Sequence, residues 1–294
     1  MDKSIALNTR LLRVSTTRVD GGCVFGALPK ERWEQVMVPD RQNRVGLANY
    51  SMLVQHPAGW VLVNAGPGDK APLNFDSMPM RSRSSLLREL REMGLAPKDI
   101  AFVIMTHMHD EYSGGGTHVT SSGRVLPTFP NARYIIQRAA IQEALRPNER
   151  SHHFYRRDDV QPVLESNQLM AVDGQAEILP GLWVEPTPGP TAGHQSVFVR
   201  HQEGTSVFLG SLVPTPLHLS LHVTCASDWN PDLSLRSKCS VFQRAIANNW
   251  QVAPAGLEGW VSTSELESRM RQPVPKPQRL VVPEPVESEA VAVA

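Results

Sequence analysis

Apolar residues recur along the chain in two patterns, one typical of buried strands and one typical of helices. The run Trp60–Val63 follows a turn at His56–Gly59 and ends at a glycine-rich segment, Asn64–Gly68, which predicts a strand leading into a loop. Ser84–Met93 places its leucines on one helical face and is followed by Gly94, which predicts a helix and its end.

The remaining apolar runs continue this alternation. Strands are predicted at Ala101–Met105, Arg133–Gln137, Leu182–Glu185, Ser196–Arg200 and Ser206–Leu209, and helices at Arg138–Leu145 and Ser234–Asn248. Strands mixed with helices over short connections predict an α/β layered domain rather than an all-β fold or a helical bundle.

The end of the chain differs from the rest in composition. Five prolines and few large apolar groups follow from Pro273 onward, a composition that cannot build a core of its own. We therefore predict one domain over residues 1–262, followed by a short helix and a proline-rich tail over residues 263–294.

The composition of the 294-residue chain is otherwise ordinary, with 41% hydrophobic and 20% charged residues. Lys+Arg and Asp+Glu are equal at 29 each, so the net charge offers no attraction for nucleic acid or an anionic membrane. No apolar run reaches the roughly 20 residues of a membrane-spanning helix, and the first residues lack the apolar core of a signal peptide. We expect a cytoplasmic protein with neither nucleic acid nor membrane as a partner.

Three cysteines, Cys23, Cys225 and Cys239, lie far apart in the sequence and form no Cys-x-x-Cys pair. An odd and sparse count favours buried thiols in a reducing compartment over a disulfide framework. The same spacing argues against a zinc site built from thiolates.

Candidate chemistry is concentrated at Thr106–Gly116, directly after the predicted strand Ala101–Met105. Because side chains alternate along an extended strand, His107 and His109 project to the same side at the exposed end of a sheet. The run Gly114–Gly116 allows the backbone to turn sharply there. A His-x-His pair is often a plain surface or core pair, so the position at a strand end leaves a functional role and a structural role both open.

This segment resembles the motif His-x-His-x-Asp-His, followed by Gly-Gly, of the metallo-β-lactamase superfamily. His107 and His109 match its first two histidines, Glu111 stands at its aspartate, and Tyr112 stands at the histidine of the second metal. Other segments resemble the lactonase-like hydrolase branch of that family, namely Asp20–Gly22, Phe25–Gly26, Pro29–Lys30, Trp33, Asp40, Asn43–Arg44, Phe129–Ala132, Val172–Gly174, Pro180–Gly181, Gly193–Ser196, Pro214–Thr215 and His218.

The resemblance runs from about residue 12 to about residue 260. It implies a four-layer αββα sandwich in which two β-sheets face each other and helices cover both outer faces. In such a fold His107 and His109 lie at one end of the sheets.

Several positions at which the family holds its two metal ions carry other residues here. Asn64 stands where the family strand ends in aspartate, and Pro190 stands at the histidine of the Thr-Pro-Gly-His motif. Ser211 stands at the bridging aspartate, and Ala255 stands at the last histidine. The His-x-His pair alone is kept, whereas each zinc ion needs about three protein ligands. The resemblance therefore implies a degenerate metal site, and we expect no cofactor.

The function predicted from these residues is a metal-independent enzyme that uses general acid–base chemistry on a small, reactive carbonyl compound. The substrate would be a lactone, ester, thioester or polyketide-like intermediate, and the reaction hydrolysis, cyclisation or elimination. Imidazoles and a carboxylate suit proton transfer, and a tyrosine hydroxyl can donate to a developing oxyanion. The predicted catalytic residues are His107, His109, Glu111 and Tyr112, and the predicted substrate-binding residues are Ser211, His194, Asn64 and His218.

Two alternatives stay open. A non-catalytic member of the family would be a binding or scaffold protein, free to fill its cleft with apolar side chains. A mononuclear zinc or iron hydrolase would use His107, His109 and Glu111 as ligands. A cleft that stays open and polar favours the enzyme. A small-molecule substrate is the expected partner, with a homodimer as a further option.

Overall fold

The computed structural model describes residues 7–70, 80–81, 84–202 and 204–271. Its strands, in chain order, are β1 (Asn8–Asp20), β2 (Arg44–His56), β3 (Gly59–Val63), β4 (Met80–Arg81), β5 (Ile100–Ile104), β6 (Thr117–Val119), β7 (Val125–Pro127), β8 (Arg133–Gln137), β9 (Leu169–Val172), β10 (Ala176–Leu179), β11 (Leu182–Pro186), β12 (Gln195–His201), β13 (Gly204–Phe208) and β14 (Gln251–Ala253). Its α-helices are α1 (Gly21–Phe25), α2 (Lys30–Trp33), α3 (Leu86–Glu92), α4 (Asp110–Ser113), α5 (Arg138–Leu145), α6 (Gln161–Glu165), α7 (Pro231–Ala247) and α8 (Thr263–Arg271).

The strands form two large sheets and a small hairpin of β6 and β7. The first sheet has seven strands in the order β4-β1-β2-β3-β5-β8-β9, and the second has five in the order β10-β11-β12-β13-β14. In the first sheet β3, β5, β8 and β9 are parallel to one another, whereas β1 pairs antiparallel with β2 and with β4. The carboxyl ends of the parallel strands therefore share one edge of the sheet.

The two sheets stack through alternating apolar side chains. In β3, Val61 and Val63 are buried against the second sheet, where Val184 and Val197 meet them. Leu62 lies between them in sequence and is buried on the opposite face, under the outer helices. Because successive side chains of a strand point to opposite faces, a strand buried on both faces must be apolar throughout.

Helices cover the outer face of each sheet. Leu86 and Leu90 of α3 are buried on the first sheet, and Val241 and Phe242 of α7 are buried on the second. The order of layers is therefore helix, sheet, sheet, helix. This architecture confirms the predicted four-layer αββα fold.

Several predicted elements differ from the observed ones at their ends. β8 and α5 have the predicted bounds, whereas α7 begins at Pro231, three residues before the predicted start at Ser234. The earlier start has a local cause, since the side chain of Asn230 caps the helix by accepting a hydrogen bond from the backbone N–H of Leu233. The two longest strands, β1 and β2, were not predicted.

The segment after residue 262 begins with the predicted helix. α8 packs on α7, and its Leu266 is fully buried among the apolar residues of that outer layer. The proline-rich tail lies outside the described residues, and the domain division at residue 262 stays a prediction. Within the described ranges, no helix is both long enough and apolar enough to cross a membrane.

A buried lysine ties α7 to the loop that follows β13. Lys238 is 1% exposed, and its ammonium group donates hydrogen bonds to the backbone carbonyls of His218 (3.3 Å), Ser220 (3.4 Å) and Val223. Burial lowers the pKa of Lys238 to about 8. The charge is kept inside the protein because three carbonyl oxygens replace its hydration shell.

His218 lies in the same buried region. Its Nδ1 is 2.7 Å from Thr215 Oγ1, and its Nε2 is 3.1 Å from the carbonyl oxygen of Val24 and 3.3 Å from Cys225 Sγ. Burial lowers the pKa of His218 well below its ordinary value. Both ring nitrogens have partners inside the core, so the structure gives His218 a packing position where the sequence predicted substrate binding.

Replacing Lys238 by methionine removes the donor from three buried carbonyl oxygens. Each orphaned buried acceptor costs about 1–3 kcal/mol, and removal of the buried charge offsets part of that cost. We expect a net loss of about 2 kcal/mol in the free energy of unfolding, measured by urea denaturation. Lys98→Met, on an exposed turn, is the matched control, and a stabilised Lys238→Met variant would show that desolvation of the charge outweighs its hydrogen bonds.

The buried His218 predicts a loss of stability in mild acid. Its pKa is lowered in the folded state, so below the unfolded value near 6.5 the unfolded chain binds more protons, and stability falls as pH falls. Each such histidine contributes about 1.4 kcal/mol per pH unit at most. Between pH 7 and pH 5.5, the free energy of unfolding should fall less for His218→Gln than for the wild type. Equal losses would contradict a lowered pKa of His218 in the folded state.

Candidate functional site

The candidate site lies where the chain leaves the carboxyl end of β5. Thr106 and His107 follow this strand, and Asn64 follows its parallel neighbour β3. Asn64 Oδ1 accepts hydrogen bonds from the backbone N–H of Thr106 (2.9 Å) and from its hydroxyl (3.1 Å). The φ of Asn64 is 61°, a left-handed conformation that asparagine tolerates better than most residues. Parallel pairing thus brings the two strand ends into direct contact.

His107 is fully buried at this junction. Its Nδ1 is 2.9 Å from Thr106 Oγ1, and its Nε2 is 3.3 Å from Ser211 Oγ. Because the Thr106 hydroxyl donates to Asn64, it accepts from Nδ1–H of His107, which leaves Nε2 as an acceptor for Ser211. Burial is the main reason that the pKa of His107 lies well below its ordinary value. The imidazole is therefore neutral.

His109 and Tyr112 pack around His107. The ring centroids of His107 and His109 are 4.7 Å apart, and those of His107 and Tyr112 are 4.8 Å apart. The Tyr112 hydroxyl is hydrogen-bonded to Ser211, and burial raises the pKa of Tyr112. His109 stacks on Phe154 at 4.6 Å, and burial lowers its pKa to about 3. Three of the four predicted catalytic residues, His107, His109 and Tyr112, therefore lie together, and the two imidazoles are neutral.

His194 completes the cluster from the second sheet. Its ring centroid is 5.2 Å from that of His107, and its Nδ1 lies 2.8 Å from Thr187 Oγ1 and 3.1 Å from the Thr187 carbonyl oxygen. A proton on Nδ1 satisfies that carbonyl, and the buried Nε2 then has no hydrogen-bond partner among the described residues. Burial lowers the pKa of His194 to about 3.

Glu111 lies within electrostatic range of Tyr112 and of Cys23 in α1. Its carboxylate contributes to raising the pKa values of both groups. In the part of the chain that the structure describes, no three His, Cys, Asp or Glu side chains are grouped so that they could hold a metal ion. The set His107, His109 and Glu111, considered as a mononuclear site, is therefore not brought together.

A cavity of about 190 Å³ opens beside His109. Residues of three segments line it, within 143–155, 190–192 and 227–229. Of the eight predicted site residues, His109 is the one that lines this cavity. The other seven do not line it, and His218 lies in the core.

Three charged residues of the cavity wall were missed by the sequence analysis. The two oxygens of Glu143 accept hydrogen bonds from the backbone N–H groups of Ala192 (2.9 Å) and Gly193 (3.0 Å), and burial raises its pKa. Arg146 and Arg150 lie at the exposed rim. No local motif marks these residues, because they become neighbours of His109 only when α5 packs beside the loop before β12.

Known proteins with related sequences include lactonases. An N-acyl homoserine lactonase from Bacillus thuringiensis is 28% identical over 130 residues, which are 44% of this chain and 45% of the relative. This chain thus spans about half the length of the curated relatives that it matches. The similarity confirms the predicted resemblance to the lactonase-like branch.

Solved structures share the fold over most of their length. A "probable metal-dependent hydrolase" from Staphylococcus aureus has a TM-score of 0.77 at 24% identity, covering 88% of this chain and 98% of that one. AidC, a dizinc quorum-quenching lactonase, has a TM-score of 0.67 at 16% identity, covering 86% and 89%. Identities this low show a common fold.

The prediction that this protein has no cofactor is wrong, because the relatives it resembles include a dizinc enzyme and zinc is what the fold family implies. The side chains seen here do not fit the family's pair of ions. The resemblance places Pro190 and Ala255 at two ligand positions; neither offers a side-chain donor atom, and Ala255 is buried between the sheets.

The family model for the metallo-beta-lactamase superfamily matches residues 44–241, which is well over half of the 294 residues. The matched range includes the His-x-His segment after β5, the cavity wall and most strands of both sheets. Sequence and architecture agree, and this chain belongs to the metallo-β-lactamase superfamily.

Proposed function

We propose that this chain hydrolyses a small lactone or ester in the cavity beside His109. The observation that carries the proposal is the double position of this residue, which belongs to the buried histidine cluster and also forms part of the cavity wall. Related proteins that are lactonases support the same class of substrate. Thioester and polyketide-like substrates, and cyclisation or elimination, stay predictions.

His109 is the group that contacts the substrate and its attacking water. Its imidazole is neutral, so a ring nitrogen accepts a hydrogen bond from water and takes its proton as the carbonyl is attacked. Such assistance contributes about 10²–10⁴-fold. Because burial lowers its pKa to about 3, His109 is a weak base, and a reactive carbonyl is therefore a better substrate than an amide.

The other members of the cluster act as positioning residues. His107 is fully buried and Tyr112 is 4% exposed, so neither lies on the surface of the cavity. Ser211 is hydrogen-bonded to both His107 and Tyr112. These three side chains support the His109 ring on the side away from the cavity. Asn64 fixes the same loop through Thr106. We assign no contact with the reacting atoms to these side chains.

A second candidate is a non-catalytic binding protein. The observation that favours it is the depth of the cluster, since His107, Asn64 and His194 are all 0% exposed. A small cavity that reaches a single histidine suits retention of a ligand as well as its conversion. If the protein is an enzyme, substitution of His109 changes turnover. If it is a binding protein, the same substitution changes ligand affinity only.

We expect His109→Ala to lower kcat/KM for a small lactone or ester by about 10²-fold or more, following the magnitude of acid–base assistance. His107→Ala should have an effect of similar size through loss of support for His109. Turnover of γ-butyrolactone, p-nitrophenyl acetate and an N-acyl homoserine lactone is measured on purified protein and again with added Zn²⁺.

His152→Ala, on an exposed turn outside the cavity wall, is the matched control and should keep wild-type kcat/KM. Circular dichroism and thermal denaturation separate loss of chemistry from loss of fold. Full turnover in a His107→Ala, His109→Ala double variant would reject the assignment of these residues. Ligand binding without turnover of any of the three compounds would reject hydrolysis in favour of the binding protein.

A further inference from the structure

We infer that the cavity beside His109 recognises a small molecule that carries a carboxylate, which Arg146 and Arg150 bind at the rim. The inference rests on the proposed function, because hydrolysis of a lactone or ester also produces a carboxylate. It goes beyond that function by naming the charged group that the ligand must carry.

Arg150 is held at the rim in a fixed position. Its Nη2 donates hydrogen bonds to two backbone carbonyls of the opposite wall, those of Ala226 (2.9 Å) and Asp228 (2.8 Å). Its Nε and Nη1 have no hydrogen-bond partner among the described residues. A guanidinium fixed by one nitrogen and open at the others is ready to donate to a planar carboxylate without losing much side-chain freedom.

Arg146 supplies a second positive charge on the same rim. Its side chain lines the cavity at the end of α5 and has no ion pair or hydrogen bond with any residue that the structure describes. A guanidinium without a protein partner beside a cavity offers its donors to a ligand. Two guanidinium groups on one small cavity favour an anion over a neutral molecule.

Two acidic groups lie near the guanidinium groups of the rim. Glu143 lines the same cavity, and each of its oxygens accepts a backbone N–H. The carboxyl of Asp228 is buried and lies within electrostatic range of Lys238 and of Arg150. Glu143 opposes an incoming anion and Asp228 offsets part of the charge of Arg150, so the preference for a carboxylate rests on the open donors of the two guanidinium groups.

The rest of the cavity wall indicates what kind of ligand body the cavity can hold. Trp229 is 47% exposed at the mouth, and its backbone N–H is fixed to the carbonyl of Pro190. Phe154 and Pro190 add apolar surface on the way to His109. A cavity of about 190 Å³ admits a short apolar body whose carboxylate stays at the rim.

Calorimetric titration with butyrate and with its neutral match, butyramide, tests the inference. We expect butyrate to bind at least about tenfold more tightly, since charge-assisted hydrogen bonds exceed neutral ones by roughly that factor. Arg146→Gln should remove about tenfold of the butyrate affinity and leave butyramide unchanged. Arg150→Lys keeps the charge at the rim but loses the planar donor pair. It should lose less butyrate affinity than Arg146→Gln.

Arg157→Gln, on an exposed turn outside the cavity wall, is the control and should bind butyrate like the wild type. The Arg146 side chain has no hydrogen bond or ion pair with a described residue, so its variant tests the rim without removing such a contact. Equal affinities for butyrate and butyramide in the wild type, or an unchanged butyrate affinity in Arg146→Gln, would overturn the inference.

Two further ligands identify the source of the carboxylate. Tighter binding of γ-butyrolactone-γ-carboxylate than of γ-butyrolactone indicates that the substrate brings its own carboxylate, whereas tight binding of 4-hydroxybutyrate alone indicates a product site. Carboxylate binding without turnover supports the inference and removes the proposed hydrolysis. Turnover of neutral lactones without carboxylate binding supports the proposed hydrolysis and contradicts the inference.

Discussion

Parallel pairing of β3 with β5 is the constraint on which the site depends. It brings the ends of two strands to one edge of the first sheet, where Asn64 binds both the backbone and the hydroxyl of Thr106. The orientation of that hydroxyl sets the tautomer of His107, and His107 in turn supports His109. A shift of this pairing by one residue would turn the alternating side chains to the other face and dismantle the chain of contacts.

Burial has two opposed consequences at this edge. It keeps the imidazoles of His107, His109 and His194 neutral, because a charged ring loses its hydration inside the protein. It also closes the cluster to ligands, so that chemistry is possible only where a wall remains open. His109 lies at that opening. The family frame is retained, and Ala255, which the resemblance places at a ligand position, is buried between the sheets.

Much of the fold could be predicted because its signals are local. β8 and α5 were predicted with their observed bounds, since a short apolar run and a helical period are visible in a few residues. β1 and β2 were missed, although each has 13 residues. Their polar and small residues hide the pattern, because long antiparallel pairing with each other, rather than local propensity, makes them strands.

The family, the layer order and the two histidines at a strand end could be predicted from the amino-acid order alone, because motif order and hydrophobic period can be read without knowledge of contacts. Which of the predicted site residues a ligand can reach depended on tertiary packing. That packing placed His218 in the core and brought Arg146 and Arg150 to the rim beside His109. Access and burial depend on how segments distant in the sequence pack together, and no local pattern records that packing.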